Sequence, residues 1–446
     1  GKSTITTNTG TDGQSPASVS VTSNHGDLLL SDATITSETS AGGTAGVITV
    51  ETLLGSTLLT QGSAISSSTE GSGKANTVLI KSPVVSVTEL SEIKSETAGA
   101  GAAGEVMIDN ANIQPATNET SRGTVALSSG GQITSSSTGT GAAGSVRIVN
   151  SETITLTGHT VEDDVNQTRI AIQSLEDTLL TDAAGTVSIT DGGSLLLTEG
   201  AQIDATTKGA ATGGEVLIDV ETVQLDNSEI SSTTSALNDT ETNLIAGAAG
   251  SIRITTSGDT TLDNGSSVAT STSGDGAGGN IELNTDSEVT IVNLSEVSSS
   301  STGTGQPGSI TVRADALTID SEYTAPEEES ADTTTALLLN DDAESDIPEV
   351  RTGIFTESSG PGPDKEGGAI NIYVNGLTQV LDEGKISAGA QQPNNQSGSI
   401  FIESDRVLLD GGDSWLRELE EARMHAEETG EPFVKPDGPQ ISASSE

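Results

Sequence analysis

Gly62-Ser63-Ala64-Ile65-Ser66-Ser67-Ser68-Thr69 and Gly200-Ala201-Gln202-Ile203-Asp204-Ala205-Thr206-Thr207 are two copies of one unit. In each, an apolar residue is followed two positions later by a small one. The apolar member recurs thirteen times, as Ile5, Ile35, Ile65, Ile93, Ile133, Ile172, Ile203, Ile230, Val268, Val297, Ile354, Ile386 and Ile441. The small member follows as Thr7, Ser37, Ser67, Ser95, Ser135, Ser174, Ala205, Ser232, Thr270, Ser299, Thr356, Ala388 and Ala443. A step of two keeps both side chains on one face of a strand. These apolar residues are called anchors below.

Uninterrupted anchors lie about thirty residues apart, as from Ile5 to Ile35 and Ile35 to Ile65. Each period also carries Gly-x-apolar-x-apolar, as in Gly144-Ser145-Val146-Arg147-Ile148 and Gly250-Ser251-Ile252-Arg253-Ile254. Glycine opens ten of the twelve such stretches, and Ala17 and Asn76 open the other two. A third alternation, such as Leu195 and Leu197, sits five or six residues before the anchor. Three short strands per repeat, punctuated by Gly, Asn, Asp and Ser, predict an all-β, right-handed parallel β-helix of about 13 coils. At one strand spacing per coil the rod is on the order of 60 Å long, a single domain over 1–446. A disordered Ser/Thr/Gly-rich stalk would not hold Ile or Val to a fixed phase. The small residue is expected to point inward at a tight corner and bond to backbone. The glycine before the first strand is expected to supply a turn with positive φ.

Insertions interrupt the period. Those at 158–169, 321–350 and 411–438 fall between second strand and anchor and are expected along one edge of the rod, joined by a shorter one near 115–124. The piece at 234–245 follows the third strand and belongs to another edge. The segment 413–429 reads as the one short α-helix, capped at Asp413 or Ser414 and ended by Gly430, with Trp415, Leu419, Ala422 and Ala426 on one stripe. All six aromatics lie beyond residue 320 (Tyr323, Phe355, Tyr373, Phe401, Trp415 and Phe433). They are expected to pack beneath inserted segments rather than to form a carbohydrate platform.

Charge narrows the partners. Seventeen Lys and Arg against 65 Asp and Glu give a net charge of −48. Nucleic acid and anionic membrane surfaces are excluded as general partners, because both require basic patches. The chain has no Cys, so neither disulfides nor thiol chemistry enter. No apolar run approaches a membrane span, and the first residues carry no signal pattern. The opening at Gly1 predicts either an upstream part removed by processing or a segment of a longer chain.

Sites of chemistry are sparse. The 321–350 stretch holds ten acids, from Glu322 to Glu349, and no Lys, Arg or His. It lacks the ligand spacing of an EF-hand loop and reads as a solvated acidic segment. His25, His159 and His425 stand at non-equivalent phases. No zinc motif, P-loop or G-x-S-x-G elbow occurs, and Gly274-Asp275-Gly276-Ala277-Gly278-Gly279 is a single near-match to the calcium nonapeptide. No catalytic residue and no cofactor is assigned, and the identity of any metal ligands stays open.

The Gly144-to-Ile148 type of strand, the leucine strand and the Gly62-to-Thr69 and Gly200-to-Thr207 units together resemble passenger repeats of filamentous-haemagglutinin-like two-partner-secretion exoproteins. The resemblance spans nearly the whole chain. It implies export through an outer-membrane partner, folding outside the cell and a structural or adhesive task. The family's N-terminal secretion domain is not seen in this sequence. The expected function is therefore a non-enzymatic extracellular rod, a surface adhesin or fibre element meeting glycans or proteins of surfaces or matrix. Both ends fall in the third-strand phase, at Ser3-Thr4-Ile5-Thr6-Thr7 and Gln440-Ile441-Ser442-Ala443-Ser444. That match raises a second expectation, copies stacked head to tail as a filament or sheath. The rival of another class is a polysaccharide-active enzyme on the same scaffold, with carboxylates and bases on neighbouring coils of one sheet.

Overall fold

The computed structural model describes residues 3–9, 16–114, 119–158, 167–175, 184–236, 246–321, 351–360, 366–390, 396–411 and 438–443. Among them the chain is all-β without a helix, and its strands, one short antiparallel pair aside, pair in parallel with the equivalent strand one repeat away. Alternation sets which side chains go inside. In Ile48–Thr52 the buried residues are Ile48, Val50 and Thr52, and Thr49 and Glu51 between them are half-buried.

Three ladders result. The first joins glycine-led strands through Val19, Ile48, Val78, Val106 and Val146, residue opposite residue. The second joins the leucine strands through Leu30, Leu59, Val87, Leu127, Leu156 and Leu197. Continuous strands such as Thr186–Thr198 and Ala369–Leu381 run through both and fuse them into one twenty-stranded sheet. The third ladder is a thirteen-stranded sheet of anchor strands, from Ser3–Thr9 to Gln440–Ser442. Inward residues of all three make one continuous core from Val19 to Ala388. A fully buried Ile or Leu contributes about 1.5–3 kcal/mol, so each rung, the set of three strands from one repeat, adds its own share.

Twelve of the thirteen anchors stack as the periodicity predicts. The sixth does not. Ile133 pairs with Ile170, and Ile170 with Ile203, so Ile170 is the anchor. Ile172 lies opposite Ser135 and Ala205, in the small-residue column. Ile172-Gln173-Ser174 satisfies the apolar-x-small pattern and Ile170-Ala171-Ile172 does not, so the letters favour the wrong frame and only register gives the right one. Room for the larger side chain comes from glycine: a Cβ on Gly214 would sit 2.3 Å from Ile172 Cδ1.

At Ser37, Ser67, Ser95, Ser135, Ser232, Thr270, Ser299 and Thr356 the small residue does turn inward and bond to backbone. Ser95 Oγ accepts from Gly104 N at 2.8 Å, and Ser135 Oγ accepts from Gly144 N at 3.1 Å. Ser135 Oγ also donates to Gly104 O of the preceding rung at 2.8 Å. One hydroxyl thus satisfies backbone groups of two rungs. The glycines beside it are not there for positive φ, contrary to the expectation from sequence. A Cβ on Gly144 would lie 2.0 Å from Gly104 O, and one on Gly250 would lie 1.9 Å from Gly214 O. They are glycines because rung packs on rung backbone to backbone. Positive φ occurs instead at the corner between leucine and anchor strands, in Gln61-Gly62, Ser129-Gly130, Glu199-Gly200 and Asn264-Gly265. Buried serines staple that corner, with Ser63 N donating to Ser91 Oγ and Ser266 N to Ser295 Oγ, both at 3.1 Å.

The insertion near 115–124 is also placed differently. Asn112–Gln114 and Glu119–Ser121 pair antiparallel, between glycine-led strand Val106–Asp109 and leucine strand Gly123–Ser128. It therefore leaves the corner before the leucine strand, not the one after it. The segment 158–169 yields its last residue to strand Arg169–Ser174. The helix expected at 413–429, the acidic stretch 322–350 and most of 234–245 lie outside the described residues.

Candidate functional site

The outer face of the glycine-led ladder gathers the most chemistry. Alternation sends Ile252, Ile254, Ile281, Leu283, Ile310, Val312, Ile370 and Ile372 into the core. The residues between them face out, and register aligns them in two columns. One runs Arg253, Glu282, Thr311, Asn371, Phe401; the other runs Asn284, Arg313, Tyr373, Glu403. Arg253 Nε forms an ion pair with Glu282 Oε2 at 2.9 Å, and Arg313 Nη1 donates to Glu282 Oε1 at 2.8 Å. Arg313 Nη1 also reaches Asn284 Oδ1 at 3.2 Å. Its guanidinium carbon lies 5.2 Å from the centroid of the Tyr373 ring. That ring is 5.6 Å from Phe401, tilted by 48°. Exposed ion pairs of this kind add at most about 1 kcal/mol each. Their effect here is to order the two guanidinium groups.

Two recesses flank the patch and share Arg313. One, of about 330 Å³, is lined by Asp286, Asp315, Tyr373 and Asn375; the other, of about 300 Å³, by Arg253, Asn280, Glu282 and Thr311. Tyr373 and Phe401 are 37% and 49% exposed, so these two aromatics do not pack away as expected from sequence. Phe355 does, at 1% exposure, beneath the Arg351 guanidinium 3.7 Å from its ring centroid. Tyr323, Trp415 and Phe433 lie outside the described residues. Sequence reading missed the patch, although a signal existed. Arg253, Glu282 and Arg313 stand one repeat apart and share the outward parity of their strands.

A larger recess of about 540 Å³ opens at the corner before the leucine strands and brings in His25. Its rim is Leu53 and Leu54, and its charged residues Glu51, Lys81 and Asp109 are successive in register. His159 and His425 lie outside the described residues. No group of three His, Asp or Glu close enough to hold a metal ion occurs among the described residues.

The anchor ladder presents the arrangement that the enzymatic rival requires. Arg169, Asp204 and Glu229 project outward on three consecutive rungs. Asp204 is 8% exposed and burial raises its carboxyl pKa, against the hydrogen bonds donated by Thr206 Oγ1 and by Gln173 Nε2, the latter at 3.0 Å. Burial also raises Glu229, and the charge of Asp204 adds to it. Asp204 is thus held by its own sheet on both oxygens, and none of the three recesses includes these acids.

No family model, no curated protein and no solved structure matches the chain.

Proposed function

We propose that the chain is a right-handed parallel β-helix of about 13 coils that works as an extracellular adhesive or structural rod, without catalysis of its own. The observation that carries this reading is the unbroken succession of anchor strands, each in parallel register with the next from Ser3–Thr9 to Gln440–Ser442. The right hand follows from the general rule for parallel crossovers, and the spacing of strands gives a length on the order of 60 Å. The resemblance of the repeats to filamentous-haemagglutinin-like exoproteins supports export and a surface task. So does the net charge of −48, which keeps an exposed rod soluble. Its contacts are with glycans or proteins of surfaces or matrix.

Antibody labelling of intact source cells, together with adhesion of beads coated with the purified chain, tests this. Surface labelling and bead adhesion are the expected results. Labelling only after lysis, or sugar release from acidic polysaccharides, sinks it.

A second reading, head-to-tail stacking into a filament, is favoured by one observation. Inward-pointing Ile5 and Leu409 on the outermost described rungs are each 50% exposed, whereas their register partners Ile35 and Val380 are 2% and 0%. A further rung would cover them, and a second copy is one source of it. Electron microscopy separates filaments from rods of one length.

A further inference from the structure

We propose that the outward patch of Arg253, Glu282, Arg313, Tyr373 and Phe401 binds a neutral oligosaccharide lying across the rungs. This deepens the adhesive reading and rests on it. Three features of the patch point to that chemistry.

The first is the placement of the rings. The whole chain has six aromatic residues, and two of them stand outward on neighbouring rungs with their rings part-exposed. Elsewhere the outer column of Phe401 carries Leu79, Met107, Arg147, Ser188 and Leu217, and no ring. Folding does not call for a ring at such a position, because the inward residues already make the core. An exposed ring offers its face to the apolar C–H face of a pyranose.

The second is the array of polar groups. Glu282 and Asn284 accept, Arg253 and Arg313 donate, and Asn371 and Asn375 can do both. They line up at the strand spacing of about 4.8 Å, close to the length of one sugar unit. Arg313 is held at once by Glu282 and Asn284, so its remaining N–H groups are aimed before a ligand arrives.

The third is charge. The two arginines are balanced by Glu282 between them and by Asp286 and Asp315 at the recess beside Tyr373. An anionic chain would meet no local excess of positive charge and the repulsion of a molecule at −48. A cation would meet no cluster of three acidic or histidine ligands among the described residues. A neutral, hydroxyl-rich chain meets neither obstacle.

The test uses the purified full chain against immobilised neutral tetrasaccharides (gluco-, manno- and galacto-series) and an oligogalacturonate of equal length, followed by calorimetric titration. A neutral tetrasaccharide is expected to bind, with affinity reduced about ten-fold or more in Tyr373→Ala and in Phe401→Ala, or about 1.4 kcal/mol. Should either variant lose its circular-dichroism melting transition, Thr311→Phe fills the recess beside Arg253 and Glu282, and it too should weaken binding. Preference for oligogalacturonate, no binding to any neutral series, or equal affinity in folded variants overturns the proposal. Bead adhesion that persists in Tyr373→Ala and Phe401→Ala overturns it while leaving the rod in place. Labelling confined to lysed cells overturns the extracellular reading and leaves the titration to decide on the patch.

Discussion

Gly250 and Gly200 lack side chains for different reasons, and alanine separates them. A Cβ on Gly250 would meet Gly214 O at 1.9 Å and Ser232 Oγ at 2.7 Å, so one rung must shift away from the next. Gly200 has φ +81° and nothing within 4 Å of the added atom. Its alanine suffers only the left-handed backbone penalty, about 1 kcal/mol. Overpacking at Gly250 should cost about 2–4 kcal/mol. Thermal melting of the two variants should therefore show the larger drop for Gly250→Ala. Equal drops would mean that rungs yield more easily than the contact distances imply. Leucine at the left-handed positions Leu90 (φ +60°) and Leu294 (φ +65°) shows that the open corner tolerates a side chain.

At the scale of the strand, Gln202–Lys208 carries a carboxyl that the fold holds poorly solvated. Burial raises the pKa of Asp204, so the folded state retains its proton to higher pH than the unfolded chain does. Below the ordinary carboxyl value both states are protonated and the group is neutral in its effect. As pH rises through the folded value the charged form becomes unfavourable, and stability falls. Asp204→Asn keeps the shape and removes the charge. It should match the parent chain near pH 3 and melt higher at pH 7, by about 1 kcal/mol of stability. A variant that melts lower at pH 7 would show that the bonds from Thr206 and Gln173 outweigh desolvation. The neighbouring Glu229 shifts in the same direction, and the two strands should share this pH dependence.

For the molecule as a whole, self-repulsion is the term that solution conditions reach. The net charge is −48, and the Debye length falls from about 30 Å at 0.01 M salt to about 8 Å at 0.15 M. Raising salt across that range should raise the melting temperature. A decrease would assign more stability to surface ion pairs such as Arg253–Glu282–Arg313 than exposed pairs ordinarily contribute. Because each rung touches mainly its neighbours, the rise should be shared along the chain rather than confined to one segment.

The stack of Ile35, Ile65, Ile93 and Ile133 was legible because burial demands an apolar side chain at the same place in every rung, and that demand leaves a period. The inward serines were legible for a related reason: a small hydroxyl at a crowded corner leaves its own mark two residues later. Ile170 was not, since Ile172-Gln173-Ser174 fits the repeated letters and only the partners Ile133 and Ile203 show that the anchor is two residues earlier. The role of the corner glycines was equally hidden, because a close carbonyl and a positive φ ask for the same residue. Least legible was the outward patch. Thr311 and Asn371 are sixty residues apart and yet opposite each other, because the insertion between them leaves the ladder and returns to it in register. Repetition determined from sequence which side chains are buried. Neighbourhood on the surface was decided only by the tertiary structure, where the register of whole rungs sets which outward side chains meet.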